Sequence, residues 1–278
     1  MKIFNLRFFV GLLSGLTISG SLSSAPAQAY SFSAVPQFTA VQVYKEWRPL
    51  LDRLKKETGI ELKIRTYDSI PEFEAAFLRG EVDFAYANPY HAVMGNRAQG
   101  YVPLLRNDKP LNGILLVRKD GAKSISELDG KELGFPAPNS FGAALYMRAL
   151  LIEKESLTFT PNYLKTHPNV FRHVIAGDVA AGGSVRAAFN SEPPAVRERL
   201  RVLYETPYAA PHPLMVHPRV SQSVQEKVVE TLLRFKKVLG GEALLKAVRM
   251  PEIGRADYDL EYLPLEELNL DKYVVKSK

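Results

Sequence analysis

From about residue 30 to residue 240, short apolar runs alternate with stretches whose apolar residues recur every three or four positions. Short runs rich in β-branched residues suit strands, and the three-and-four spacing puts apolar side chains on one face of a helix. Trp47, Leu50, Leu51 and Leu54 follow that spacing, which predicts a helix over 44–58 ended by Gly59. Ser69 as a cap, with Pro71 and Glu72 in the first turn, predicts a helix over 71–79 that Gly80 stops. Further helices are expected from 89 to 95, over 140–154 and over 170–176, with a short one over 126–130. Val224, Val228, Leu232 and Phe235 share one face of a strongly amphipathic helix over 223–239. Strands are expected over 31–35, 61–66, 82–87, 101–105, 113–118, 132–135, 180–184 and 202–205. The run 207–218 is proline-rich, and the tail from Pro251 has few periodic signals, so it is expected to wrap over the surface. Strands alternating with helices define an α/β protein. No internal repeat or low-complexity segment interrupts it.

The first 29 residues stand outside this pattern. Lys2 and Arg7 bracket a basic start, 8–20 is apolar, and Ala27-Gln28-Ala29 has the small-x-small form of a cleavage site. The segment is expected to be a signal peptide, removed near Ala29, that delivers the chain to the periplasm. The apolar run is short for a membrane anchor, and no other run is long enough to span a bilayer.

Composition narrows the chemistry. The 278 residues contain no cysteine, which excludes disulfides, thiolate metal sites, a cysteine nucleophile and a lipidated cysteine. Net charge is +6, and +4 once Lys2 and Arg7 leave with the leader. The basic residues are scattered, so nucleic acid is not an expected partner, and weak steering of anions is the main electrostatic consequence. The five histidines, His91, His167, His173, His212 and His217, show no metal-binding spacing, and Ser140 lies in no nucleophile elbow. Neither an enzyme nor a cofactor or metal is expected.

An ordered series of short motifs then becomes meaningful: Trp47-Arg48-Pro49-Leu50-Leu51, Gly80 to Ala85, Ile114 to Asp120, Leu128-Asp129-Gly130-Lys131 and Pro138-Asn139-Ser140. In order and spacing the series resembles the periplasmic phosphate/phosphite/phosphonate-binding proteins of ABC transporters, over about 32–239. The resemblance implies a two-lobed type II periplasmic-binding-protein fold, each lobe a mixed sheet flanked by helices, with a two-segment hinge near Leu116 and Pro207. Lobe 1 would comprise 30–117 and 208–278, and lobe 2 would comprise 118–207. It implies a monomer that closes on a small anion and delivers it to an ABC permease. A sensor that docks to a membrane receptor is the alternative.

The resemblance also points to residues. Asn139, Ser140, Phe141 and Gly142 stand where the family has a hydroxyl-rich helix start, and a helix N-terminus suits an oxyanion. Ser140 keeps the first hydroxyl; Phe141 and Gly142 replace the next two, and Phe141 would wall the cleft. His167 matches a histidine that faces the ligand. His212 stands at the position of a hinge acid. Tyr86, Asn88 and Tyr90 follow the strand over 82–87, outside whose carboxyl end α/β sheets bind ligands. Other family contacts fall on Ala180, Ala187, Leu111 and near Ile70. The acids that would meet a ligand ammonium are therefore replaced, and a ligand without an amine is expected.

Overall fold

The computed structural model describes Met1 and residues 29–276. Apart from Met1 and Ala29, the expected leader lies outside the described residues. The chain runs through β1 (Ala29–Ala34), α1 (Ala40–Thr58), β2 (Glu61–Ile64), α2 (Ile70–Leu78), β3 (Phe84–Tyr86), α3 (Pro89–Gln99) and β4 (Val102–Asn107). It continues through β5 (Gly113–Arg118), β6 (Lys131–Phe135), α4 (Tyr146–Glu153), β7 (Phe159–Tyr163), α5 (His167–Ala176) and β8 (Ala181–Val185). Then follow α6 (Arg186–Asn190), α7 (Pro194–Arg197), β9 (Leu200–Glu205), β10 (Pro213–Val216), α8 (Gln222–Phe235), α9 (Gly241–Ala247) and β11 (Ile253–Arg255).

Local chemistry explains many boundaries. Thr39 Oγ1 accepts from the Gln42 N–H at 3.3 Å and starts α1 four residues before the expected 44, while Gly59, at φ 75°, ends it. Ser69 caps α2 through the Glu72 N–H at 3.3 Å. Helix 140–154 is expected as one piece; instead Phe141–Leu145 forms a wider π-type turn that leads into α4.

Two sheets result. The first is ordered β11-β4-β10-β3-β1-β2 and the second β7-β6-β8-β5-β9. In the first, β1 runs parallel to β2 and β3, whereas β10 runs antiparallel to β3 and β4. In the second, β6 runs parallel to β7 and β8, and β5 runs antiparallel to β8 and β9. Each sheet is mixed and carries helices, the two-lobed α/β arrangement.

Three features depart from the expectation. Strand β5 pairs wholly within the second sheet, so the chain crosses between sheets at 108–112, ahead of Leu116. The return crossing is 206–212, and the two segments pair, with Leu111 and Ala209 exchanging N–H···O bonds of 3.0 and 2.8 Å. The proline-rich run holds a central strand, β10; proline is tolerated there because Pro213 is its first residue, and its carbonyl still accepts from the Ala87 N–H at 3.0 Å. The tail is not a surface wrap: Tyr262 and Leu270 are fully buried in an apolar cluster with α2 and α3 residues. That cluster also takes in Phe141, Leu145, Tyr146 and Ala149 from the second lobe, so the lobes share apolar core.

Candidate functional site

The carboxyl ends of β1 and β3 lead into the junction between the sheets. Gln37, just past β1, places its side-chain amide 2.8 Å from His212 Nε2. His212 stacks on Tyr86 at 5.6 Å between ring centroids, and Tyr86 in turn packs against Trp47 at 5.0 Å. Tyr86, expected to touch ligand, is therefore held on one side by the core. Burial pushes its phenol well above the ordinary value, so it stays protonated.

His167 comes from the other lobe. The expected helix over 170–176 begins three residues earlier, capped by Thr166, and this draws His167 into its first turn. Its ring is buried, with Nδ1 2.9 Å from Ser184 Oγ on β8. Burial lowers the His167 pKa to about 4. Burial lowers that of His212 to about 3, helped by repulsion from His91, Arg249 and His167. Both rings are neutral at pH 7, because a cation is poorly solvated there.

The helix start follows a different plan from the expected clamp. Asn139 is fully buried and spent on protein partners. Its amide donates to Glu74 Oε2 at 2.5 Å and to the Val275 carbonyl at 2.8 Å, and its oxygen accepts from the Val275 N–H at 2.9 Å. Glu74 also meets His91 Nε2 at 2.7 Å. Asn88 caps α3 by accepting from the His91 N–H at 3.0 Å and donates to the Asn139 carbonyl at 3.2 Å. Asn139, Glu74, His91 and Asn88 thus close a buried polar ring across the junction. Asn88 and Asn139, named as ligand contacts, tie lobe to lobe instead.

Ser140 makes no side-chain cap; its carbonyl receives the Ala144 and Leu145 N–H groups at 2.8 and 2.9 Å. The N–H groups of Phe141, Gly142 and Ala143 have no carbonyl within the helix to meet, as at any helix start. Phe141 stacks on Tyr146 at 5.7 Å inside the shared apolar cluster, and Tyr90 is buried in the same cluster. Gly142 lies against the crossing segment: a Cβ there would stand 2.9 Å from Leu111 Cδ2 and 3.2 Å from the Gly113 nitrogen. Leu111 thus takes up space that a side chain at 142 would need.

Two chambers open at the junction, and Gln37 lines both. One, of about 510 Å³, is bounded by Tyr86, Lys109, Leu111, Arg186, Ala187, His212 and Arg249 among others. The second, of about 560 Å³, lies between 36–39 and 68–71 of the first lobe and 136–138, Tyr163, Lys165 and Thr166 of the second. Of the nine expected contacts, Tyr86 and His212 line the first chamber; Asn88, Tyr90, Asn139, Ser140, Phe141, Gly142 and His167 line neither. Gln37, Arg186 and Arg249 escaped the sequence reading. Gln37 was findable, since it follows a strand end of the kind that places ligands. The arginines carry no local signal, because only folding brings 186 and 249 together.

A profile described as the periplasmic substrate-binding protein of the phosphonate ABC transporter matches residues 32–262. The fold is similar to the binding-protein component of an ABC phosphonate transporter from Pseudomonas aeruginosa, with TM-score 0.75, 14% identity and coverage of 87% of this chain and 86% of that one. A protein from Prochlorococcus marinus in complex with methylphosphonate gives TM-score 0.76 and 14% identity, covering 87% of this chain and 97% of that one. A Xanthomonas citri protein bound to ATP gives TM-score 0.76 and 16% identity, covering 89% of this chain and 100% of that one. No curated protein matches the sequence. With the profile spanning most of its length, the chain belongs to the periplasmic substrate-binding proteins of phosphonate ABC transporters, which bind small-molecule ligands and deliver them to an ABC permease.

Proposed function

We propose that this chain captures a small oxyanion or carboxylate without an amine in the junction chamber that Gln37 and His212 line, after export to the periplasm. Residues 108–112 and 206–212 form the hinge about which the lobes close. The observation that carries this reading is the replacement of acid by neutral imidazole. His212 occupies the position of a family acid, is neutral at pH 7, and lines a chamber that has alanine at 187 and no carboxylate in its lining. A ligand ammonium would be desolvated there without a counter-charge, at a cost of several kcal/mol. An anion finds imidazole and amide donors instead. The methylphosphonate complex of the structural relative supports an oxyanion as the ligand class.

A thermal-shift screen tests the proposal with phosphate, phosphite, methylphosphonate, 2-aminoethylphosphonate, sulfonates and small carboxylates. A ligand at 100 times its dissociation constant adds about 2.7 kcal/mol of stability, an easily read rise in Tm. The expected hit is an amine-free anion. Micromolar or tighter binding of 2-aminoethylphosphonate would overturn the reading.

A further inference from the structure

The chamber beside His212 has an unusual charge pattern. Lys109, Arg186 and Arg249 line it, from the hinge, the second lobe and the first lobe respectively, and no carboxylate does. The chamber across Gln37 differs: it carries both Asp68 and Lys165. Arg186 pairs with Glu205 and Arg249 with Glu46, but both acids stand outside the lining. The lining therefore holds three cations and no acid, with Lys109 the cation that has no ion-pair partner among the described residues.

Arg249 is held in place rather than left to wander. Its two terminal nitrogens meet Glu46 at 2.7 and 3.0 Å, and its guanidinium carbon lies 4.0 Å from the Phe38 ring centroid. Its backbone is left-handed, at φ 65°, a conformation that costs energy for a side chain of this size and that tends to mark functional positions. The field of Arg249 reaches His212. The family positions whose acids would meet a ligand amine, 187 and 212, also line this chamber, as Ala187 and His212. At both positions an acid of the family is replaced by an uncharged side chain.

We infer that this chamber also holds a second anion subsite, so that the ligand carries two acidic groups on a short spacer: an oxyanion beside Gln37 and His212 and a carboxylate or second phosphonate held by Lys109, Arg186 and Arg249. The inference rests on the proposed capture of an amine-free anion and adds the ligand class. Three widely separated segments supply the cations, so the subsite is complete only when the lobes face each other, and a doubly charged ligand would bridge them.

Calorimetric titration of the full mature chain with methylphosphonate, phosphonoacetate, methylenediphosphonate and 2-aminoethylphosphonate tests it. Phosphonoacetate or methylenediphosphonate should bind at least about tenfold more tightly than methylphosphonate, and the tighter of the two names the second group. In Lys109→Gln/Arg186→Gln, checked for an unchanged thermal unfolding profile, that ratio should fall to within about twofold. If methylphosphonate binds and the two-acid compounds gain nothing over it, the second subsite is wrong and the anion reading survives. If the double variant keeps the wild-type ratio, the subsite is likewise wrong. If no compound binds, both fail.

Discussion

At the scale of single residues, burial changes what a side chain does. His167 and His212 are legible in sequence as imidazoles in suggestive positions, but their charge is set by surroundings that only folding supplies. Each has a folded pKa below its ordinary 6.5, to about 4 and about 3. The unfolded chain therefore binds more protons as pH falls through 6.5. Stability from this source declines from pH 6.5 downward and levels off only below the folded values. Tm measured from pH 7 to pH 4.5 should fall, and the fall should be smaller in His167→Gln/His212→Gln. A double variant with an unchanged slope would contradict the neutral assignment. Gly142 offers a steric test. Restoring a hydroxyl by Gly142→Ser sets Cβ 2.9 Å from Leu111 Cδ2, and should cost about 1–3 kcal/mol in urea unfolding. Adding Leu111→Ala should recover part of the loss, because contacting pairs are not additive.

At the scale of elements, periodicity located most helices and strands, since a half-buried helix or strand writes its buried face into the sequence. The misses have physical causes. Strand β10 hid behind Pro211, Pro213 and Pro218 because a strand may begin at proline. Strand β7, at Phe159–Tyr163, has only partly buried and exposed positions and so no apolar run to read. The wide turn before α4 is decided by its neighbours. It lies on β5 and β8, where a Cβ on Gly113 would stand 1.9 Å from the Gly142 oxygen and one on Gly183 2.0 Å from the Ala143 oxygen. Gly183→Ala must therefore push backbone away from backbone. A loss of about 3 kcal/mol is expected on chemical denaturation, and a change under about 0.5 kcal/mol would show that the turn can retreat.

At the scale of the molecule, the tail and the buried polar ring join the two lobes. Val275 pairs with Asn139, the Tyr273 carbonyl accepts from Arg148 at 2.7 Å, and Leu270 is buried with α2 and α3 residues. Truncation before Asn269 would empty the Leu270 site and leave Asn139 and Arg148 short of partners. It should lower stability by at least about 2 kcal/mol. It should also raise the radius of gyration of the ligand-free protein in small-angle scattering, as the lobes part. An unchanged radius would mean that the shared apolar cluster alone holds them.

The amino-acid order by itself determined the α/β alternation, the caps and stops of α1 and α2, and the series of motifs that place the chain in its family. Each depends on residues close in sequence, whose spacing or backbone preference acts locally. Tertiary structure alone decided that β5 belongs to the second sheet, that Asn139 serves the tail and Glu74, that two histidines are neutral, and that Lys109, Arg186 and Arg249 face one chamber. Those outcomes depend on desolvation and on contacts between distant segments, and neither is written at any single position of the chain.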